Sequence, residues 1–539
     1  LLKPGGYQRL TQMAKLLDKE NAPFEKVDAE SAGKLAEEAV KDPHHVKAMK
    51  PLPSRKMKKE VPLMDCFVAP CKEGCPIHQD ITTYLQLVGE EKYEEAMEVI
   101  TEKNPLPFIT GTICAHNCMS KCTRNFYETP VHIREMKLKA AENGYEALLE
   151  KLPVPAVTKA GKAAVIGGGP AGMAAAYFLR KGGMEVTLFE AKESLGGVVR
   201  HVIPPFRISE DAIEKDAEIL RKMQVDIRCN TKLEYLEELK KQGYTKIVLA
   251  VGAPVQGSLK LESGMPKNAL EFLAEFKQTD GKVSLGKHVV VIGGGNTAMD
   301  TARAAKRNAG VEHVYLIYRR TRRYMPADEE ELVMALEDGV EFKELLSPVK
   351  LENGQLFCKV MQLSDYDVSG RRGVTETGET VWVPADTVIA AVGEKVPTDW
   401  YQANGLAVSE KGRLYVDEKT LKTSDDNVYA AGDGLYGPAT VVEAIRDGRK
   451  VAEAIAGEVL ACDFDKLEEE EKVYAKRGVL KEEQKETKEA GRCLGCSTIC
   501  ENCVEVCPNR ANIAIQVPGM EKHQIIHVDY LCNELSLIH

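Results

Sequence analysis

The chain has 539 residues, 44% hydrophobic and 29% charged, with 72 Lys and Arg against 82 Asp and Glu. At about 150 residues per domain this length predicts three or four domains, and the composition excludes disordered, collagen-like and membrane-embedded chains. A net charge of −10 spread over the whole length argues against a nucleic-acid-binding surface.

Residues 1–60 are charged, hold Pro43, Pro51 and Pro53, and read as a connecting segment. Leu1 to Leu10 offer no apolar signal-peptide core, and a beginning without Met points to a fragment or a processed product, so secretion is not expected. Residues 61–158 predict a helical domain: Asp80 is placed to cap a helix starting near Ile81, and Tyr93, Ala96, Met97 and Ile100 share one apolar face before Asn104-Pro105 ends it. At Lys162 strands begin to alternate with helices, which opens a first nucleotide-binding unit over 159–285. The uncharged run Ala163 to Leu179 contains three glycines and a proline, so it is strand, turn and helix rather than a membrane span. The same order returns after Lys287, with Gly293 repeating the role of Gly167, and gives a second unit over 286–395. Residues 396–462 complete the first unit, 463–492 form a solvated charged linker, and 493–539 a small cysteine-rich module.

Gly167, Gly169 and Gly172 make a GxGxxG turn between strand and helix, where backbone N–H groups and the helix N-terminus hold a pyrophosphate. Glu190, at the end of the next strand, is placed to accept hydrogen bonds from a ribose. In the second unit Gly293, Gly295 and Ala298 repeat the turn. The following strand ends in Tyr318, Arg319 and Arg320 where an acid would otherwise stand. Guanidinium forks there, with Arg323, suit a 2′-phosphate and favour NADPH over NADH; a plain basic surface cluster is the competing reading. The segment VYAAGD, 428–433, leads through Gly432-Asp433 to a helix beginning near Thr440 whose end faces a flavin, unless Asp433 is an ordinary turn residue.

Eleven of the 15 cysteines fall in two regions. The first reads Cys66-x4-Cys71-x3-Cys75-Pro and Cys114-x3-Cys118-x3-Cys122; the second reads Cys493-x2-Cys496-x3-Cys500-x2-Cys503-x3-Cys507-Pro. Such spacing suits iron–sulfur clusters, with zinc as the alternative, and belongs in a compartment that keeps thiols reduced, the cytoplasm. Cys229, Cys358 and Cys462 read as small buried hydrophobes, and His116 as structural. No Ser/His/Asp or paired-carboxylate constellation stands out, so bound cofactors must carry the chemistry.

Positions 60 to 460 resemble the FAD and NADPH half shared by the glutamate synthase small subunit and dihydropyrimidine dehydrogenase. The resemblance rests on PLMDCFVAPCKEGCPIHQDI, GTICAHNC, AVIGGGPAGMAAA, LGG followed by IPPFR, VVVIGGGNTAMD, YRRTRRYMPA and VYAAGDGLYGPATVVEAIRDG. With the tail RCLGCSTICENCVEVCPNRANIAI the chain is most similar to the C-terminal part of the selenate reductase FAD/iron–sulfur subunit, and LLKPGGY looks like the end of an upstream domain.

The resemblance implies an α/β fold of two nested Rossmann-like domains, with an N-terminal α-helical iron–sulfur domain and a C-terminal ferredoxin-like module. It implies FAD contacts from Gly167, Gly169, Pro170, Ala171, Gly172, Glu190, Gly197, Arg207, Leu233, Gly432, Asp433, Thr440 and Val441. NADPH contacts are implied for Gly294, Gly295, Asn296, Thr297, Arg319, Arg320 and Arg323. Cys66, Cys71 and Cys122 would hold one cluster, and Cys75, Cys114 and Cys118 a second. Leu63 stands where the family has a further cysteine, and Lys137 where it has Gln or Glu. In the tail, Cys493, Cys496, Cys500, Cys503, Cys507 and Cys532 are the implied ligands. After Cys532-Asn533-Glu534 the family continues with more cysteines, whereas here Leu535 follows, so a truncated or misassigned end is expected.

The function expected is an electron-transfer subunit that takes hydride from NADPH, or NADH, onto FAD. It would pass single electrons through two or more [4Fe–4S] clusters to or from a ferredoxin or a molybdenum-hydroxylase-like subunit of a hetero-oligomer, with no nucleic acid and no membrane span involved. The competing readings are a glutamate synthase small subunit, against which the ferredoxin-like tail argues, and a zinc-stabilised scaffold without redox function.

Overall fold

The computed structural model describes residues 69–126, 128–366, 372–457 and 489–493, together with Lys34 and two strands, 512–516 and 523–527. The expected connecting segment and charged linker lie outside these residues, apart from Lys34 and the turn Glu489–Arg492, as do Leu63, Cys66, Cys462, Cys496, Cys500, Cys503, Cys507 and Cys532. The chain divides into two compact units, 68–497 and a second made of 1–67 with 498–539.

The larger unit opens with helices α1 (Ile81–Gly89), α2 (Tyr93–Thr101), α3 (Pro107–Ile113) and α4 (Ile133–Lys151). The predicted face of α2 is inside, with Ala96, Met97 and Ile100 fully buried. Asp80 stands at the N-cap of α1 but makes no side-chain cap. Its carboxylate instead bridges Lys72 at 2.6 Å and Lys103 at 2.8 Å, because two ammonium groups outcompete a backbone amide for it.

A five-stranded parallel sheet follows, built from β1 (Lys162–Ile166), helix α5 (Pro170–Lys181), β2 (Glu185–Phe189), helix α6 (Glu210–Lys222), β3 (Asp226–Arg228) and β4 (Tyr244–Leu249). The chain then leaves for a second parallel sheet, made of β5 (Lys267–Asn268), α7 (Ala269–Gln278), β6 (His288–Ile292), α8 (Asn296–Arg307), β7 (His313–Tyr318), α9 (Glu329–Glu337) and β8 (Glu341–Glu344). Three antiparallel strands, β9 (Leu346–Glu352), β10 (Gln355–Tyr366) and β11 (Arg372–Pro384), precede its last strand, β12 (Thr387–Ala390). The chain returns to add β13 (Val428–Ala430) and α10 (Val441–Ala456) to the first sheet. The outgoing and returning segments pair, Val255–Gln256 against Glu394–Lys395.

The strand orders are β13-β4-β1-β2-β3 and β5-β12-β6-β7-β8. Four strands of the first sheet end in register, Ile166 beside Phe189 and Leu249, and Leu249 beside Ala430, so the residues that follow them meet at one carboxyl edge. In open α/β sheets that edge, where the strand order reverses about β1, is the ligand crevice. Buried residues of the helical domain and the first sheet form one continuous core, while the second sheet has a core on each face. No helix among the described residues is long and apolar enough to cross a membrane. In the smaller unit β14 (Asn512–Gln516) and β15 (His523–His527) pair antiparallel, Asn512 opposite His527.

Candidate functional site

β1 ends in Gly167, whose φ of +106° only glycine adopts without strain, and Gly169 stands at the N-cap of α5 with Pro170 in the first helical turn. A Cβ on Gly172 would run into the Gly167 carbonyl, so the turn closes only around hydrogen at that position. The first turn of α5 carries no acidic residue, which leaves its amides and dipole free to receive an anion. Glu190 is buried at the end of β2, and its Oε2 accepts the Gly168 N–H at 2.6 Å while Oε1 accepts the Lys192 N–H at 2.8 Å. Each oxygen keeps a lone pair for a ligand hydroxyl. Gly197, at φ +53°, closes over the turn, its own Cβ position 2.8 Å from Gly169 Cα. Leu233 packs against the shared core.

From the far side, Gly432 after β13 has φ +70° and a Cβ position 2.6 Å from Ala171 Cβ. Gly448 of α10 brings that helix equally close to α5, a Cβ there falling 2.5 Å from the Ala171 carbonyl. Thr440 caps α10 in a reciprocal box with Glu443, ahead of half-buried Val441. Burial pushes the Asp433 carboxyl up to about 6, with Asp447 and Glu443 adding to it, although Oδ1 accepts the Ala439 N–H at 3.0 Å.

The second turn repeats the first. Gly293 has φ +156°, and a Cβ on Gly294 would lie 2.5 Å from the Tyr318 ring. Gly295, the N-cap of α8, faces open space, and the first turn of α8, with Asn296 and Thr297, again lacks acids. Arg319 and Arg323 are exposed beyond β7, whereas half-buried Arg320 directs its Nε to the Arg372 carbonyl at 2.8 Å.

Arg207, an implied FAD contact, joins the two nucleotide-binding sheets. Its guanidinium sits between carboxylates of the second sheet's helices, 3.3 Å from Asp300 of α8 and in contact with Glu331 of α9. Neighbouring Phe206 packs under the guanidinium groups of Arg303 and Arg307. Buried acids demand a counter-charge, and Arg207 supplies it across the two nucleotide-binding sheets. His116 likewise reaches across, its Nε2 2.9 Å from Glu330, which Arg134 also holds at 3.1 Å. These contacts, with Asp216 of α6 accepting the Phe108 and Ile109 N–H groups at the start of α3, fasten the helical domain to both sheets. Asp216 is fully buried, and burial raises its pKa well above the usual carboxylate range.

The cysteines gather in the helical domain. Burial and then Cys114 raise the Cys75 thiol pKa, and burial and then Cys75, Cys114 and Cys71 raise that of Cys118. Buried Tyr84 is raised by burial and then by Cys118, Cys75, Cys71 and Cys114, which places it among all four. Lys137 is buried here too, near enough to lower the Cys75 and Cys118 thiols. A small cleft is lined by Cys71, Cys122 and Cys493 together with Leu85, Val131 and Ile133. Among the described residues no three His, Cys, Asp or Glu side chains converge on one metal ion. Soft thiolates grouped in this way, held among buried apolar side chains, fit an iron–sulfur cluster. Cys358 is fully buried, its thiol pushed up to about 12 by burial, and Cys229 packs partly buried against the core.

With this geometry in hand, residues 161–448 match the pyridine nucleotide-disulphide oxidoreductase family, and residues 52–147 match dihydropyrimidine dehydrogenase domain II, 4Fe-4S cluster. The chain belongs to the pyridine nucleotide-disulphide oxidoreductase family. Its cofactors are accordingly FAD and NAD(P)H in the paired sheets and a [4Fe–4S] cluster in the helical domain. The oxidoreductase YgfK of Escherichia coli is 39% identical over 99% of this chain and 54% of its own length. The NADPH-Fe(3+) oxidoreductase subunit beta of Geobacter sulfurreducens is 34% identical over 73% of this chain and 64% of its own. The glutamate synthase [NADPH] small chain of E. coli is 33% identical over 73% of this chain and 89% of its own. The chain spans about half the length of the first of these relatives.

Proposed function

We propose that the chain is an electron-transfer subunit of the selenate reductase type, which takes hydride from NADPH and passes single electrons to or from a partner redox subunit or ferredoxin in the cytoplasm. The observation that supports this best is the joining of two glycine turns on opposed parallel sheets to a thiol-lined helical domain that shares a core with the first sheet. Domain boundaries at 61–158, 159–285 with 396–462, 286–395 and 493–539 accompany this reading.

The amides of Gly167 to Gly172 and the N-terminus of α5 receive the FAD pyrophosphate, and Glu190 orients the ribose. Asp433 and the α10 end at Thr440-Val441 close the site from the other side. Gly294 to Thr297 receive the nicotinamide dinucleotide. FAD, when bound, supplies the conversion between hydride and one-electron chemistry. Anaerobic mixing with NADPH tests the reading: flavin bands and a broad brown shoulder should both bleach. A colourless protein would overturn it and favour the zinc scaffold.

NADPH should be preferred over NADH through Arg319 and Arg323, each charge-assisted contact contributing about 1.5–3 kcal/mol. The double change Arg319→Ala with Arg323→Ala is expected to lower NADPH affinity by about two decades while sparing NADH. Unaltered preference in stopped-flow flavin reduction would remove both from the site. Arg320 carries less of this, because its Nε is committed to Arg372.

The elevated Asp433 carboxyl gives FAD retention a pH dependence. A flavin hydroxyl donating to Asp433 needs the ionised form, so lowering the pH through about 6 should weaken FAD binding, by up to tenfold per unit. Asp433→Asn should flatten the profile, as measured by FAD fluorescence released at each pH. A wild-type profile flat from pH 5 to 8 would count against the contact.

A further inference from the structure

The turn Glu489–Arg492 comes from far along the chain, yet it is fixed to the helical domain by a dense set of bonds. Arg492 donates through Nη2 to the Thr129 carbonyl at 2.8 Å and through Nη1 to Glu489 at 2.8 Å, and its own carbonyl accepts from Arg124 Nε at 2.5 Å. Glu489 accepts the His132 N–H at 2.8 Å. Ala490 is buried against Gly89 of α1. The next residue is Cys493, whose N–H donates to the Ala490 carbonyl at 3.2 Å and whose side chain lines the cleft with Cys71 and Cys122.

Three thiols from three distant stretches of chain thus share one apolar cleft, bordered by Leu85, Val131 and Ile133. A chain end docked for packing alone has no need to place a cysteine there. Cys75, Cys114 and Cys118 are not among the residues that line this cleft. A cubane takes four thiolates. Cys71, Cys122 and Cys493 supply three of them.

We propose that Cys493 is a ligand of the iron–sulfur cluster held by Cys71 and Cys122 in the helical domain, not of the tail cluster to which its spacing with Cys496 assigns it. This inference rests on the iron–sulfur reading of the chain. It leaves Cys496, Cys500, Cys503 and Cys507 as the four thiolates of one tail cubane, and it makes the helical-domain cluster a covalent tie between early and late parts of the chain.

The test uses the full chain, reconstituted anaerobically with iron and sulfide and examined by iron content and by EPR after dithionite reduction. Cys493→Ser should lose, or convert to a three-iron form, the same signal that Cys71→Ser alters, and the double variant should lose no more iron than Cys71→Ser alone. Cys500→Ser should alter a different signal. FAD content and the surviving signals report that each variant is folded. Arg492→Ala, which keeps the thiol, should weaken the shared signal without abolishing it. The assignment is overturned if Cys493→Ser removes the signal lost in Cys500→Ser and leaves that of Cys71 intact, or if it changes neither. A wild-type protein that takes up zinc and no iron would instead sink the iron–sulfur reading itself.

Discussion

Gly172→Ala is expected to yield a protein that purifies without FAD. The methyl group would enter the space of the Gly167 carbonyl. That carbonyl has nowhere to retreat: the Gly167 N–H is bonded to Phe189 O at 2.8 Å, its φ is +106°, and a Cβ built on Gly167 would itself fall 2.3 Å from the Ala250 carbonyl oxygen. The turn must open, and its amides then no longer converge on one phosphate. Overpacking of this kind costs about 1–3 kcal/mol, which is one to two decades of affinity before the misaligned amides are counted. Gly295→Ala is the contrasting change, because that position faces open space. It should leave folding and FAD content untouched and weaken only the nicotinamide cofactor. FAD-to-protein ratios after gel filtration check both, and full flavin occupancy in Gly172→Ala would remove the turn from the FAD site.

The two strand–turn–helix units were legible because their signals are local. A buried β strand, a glycine at positive φ and an unopposed helix N-terminus all fall within about 15 residues, and Thr440 announces α10 by its capping box with Glu443. What escaped depends on distant partners. Asp80 looks like a cap until Lys72 and Lys103 are brought beside it. Asp216 offered one faint signal, a lone acid among Ile213, Ala217 and Leu220 on the buried face of α6, but nothing nearby names Phe108 and Ile109 as its donors. The antiparallel strands β9 to β11 were hidden because much of β11 is exposed, which blurs the alternation that marks a strand. Sequence assigns Cys493 by its own neighbourhood, since two residues separate it from Cys496 and several hundred from Cys71.

Removing the Arg207 guanidinium should loosen the two nucleotide-binding sheets from each other rather than release FAD. Arg207, Asp300 and Glu331 are all largely buried, and breaking such a group by deleting one member costs about 3–5 kcal/mol, since charge is left without its partner. Arg303 remains, with Nη1 3.9 Å from Glu331, so Arg207→Ala should fall near the lower end of that range. Arg207→Lys keeps the charge but not the planar fork and should cost less. The loss should also depend on pH with a definite sign. Burial already raises the Asp300 pKa against the pull of Arg207 and Arg303, and without Arg207 it rises further. A raised carboxyl pKa means the folded form binds more protons, so stability falls as pH increases through it. The variant should therefore be most impaired at pH 8 and partly recover toward pH 5. Urea unfolding at both values, with limited proteolysis of the crossing segments around Val255–Gln256 and Glu394–Lys395, reads this directly. A variant with unaltered unfolding and proteolysis that nevertheless loses its flavin would return Arg207 to the FAD contact that the sequence resemblance implied.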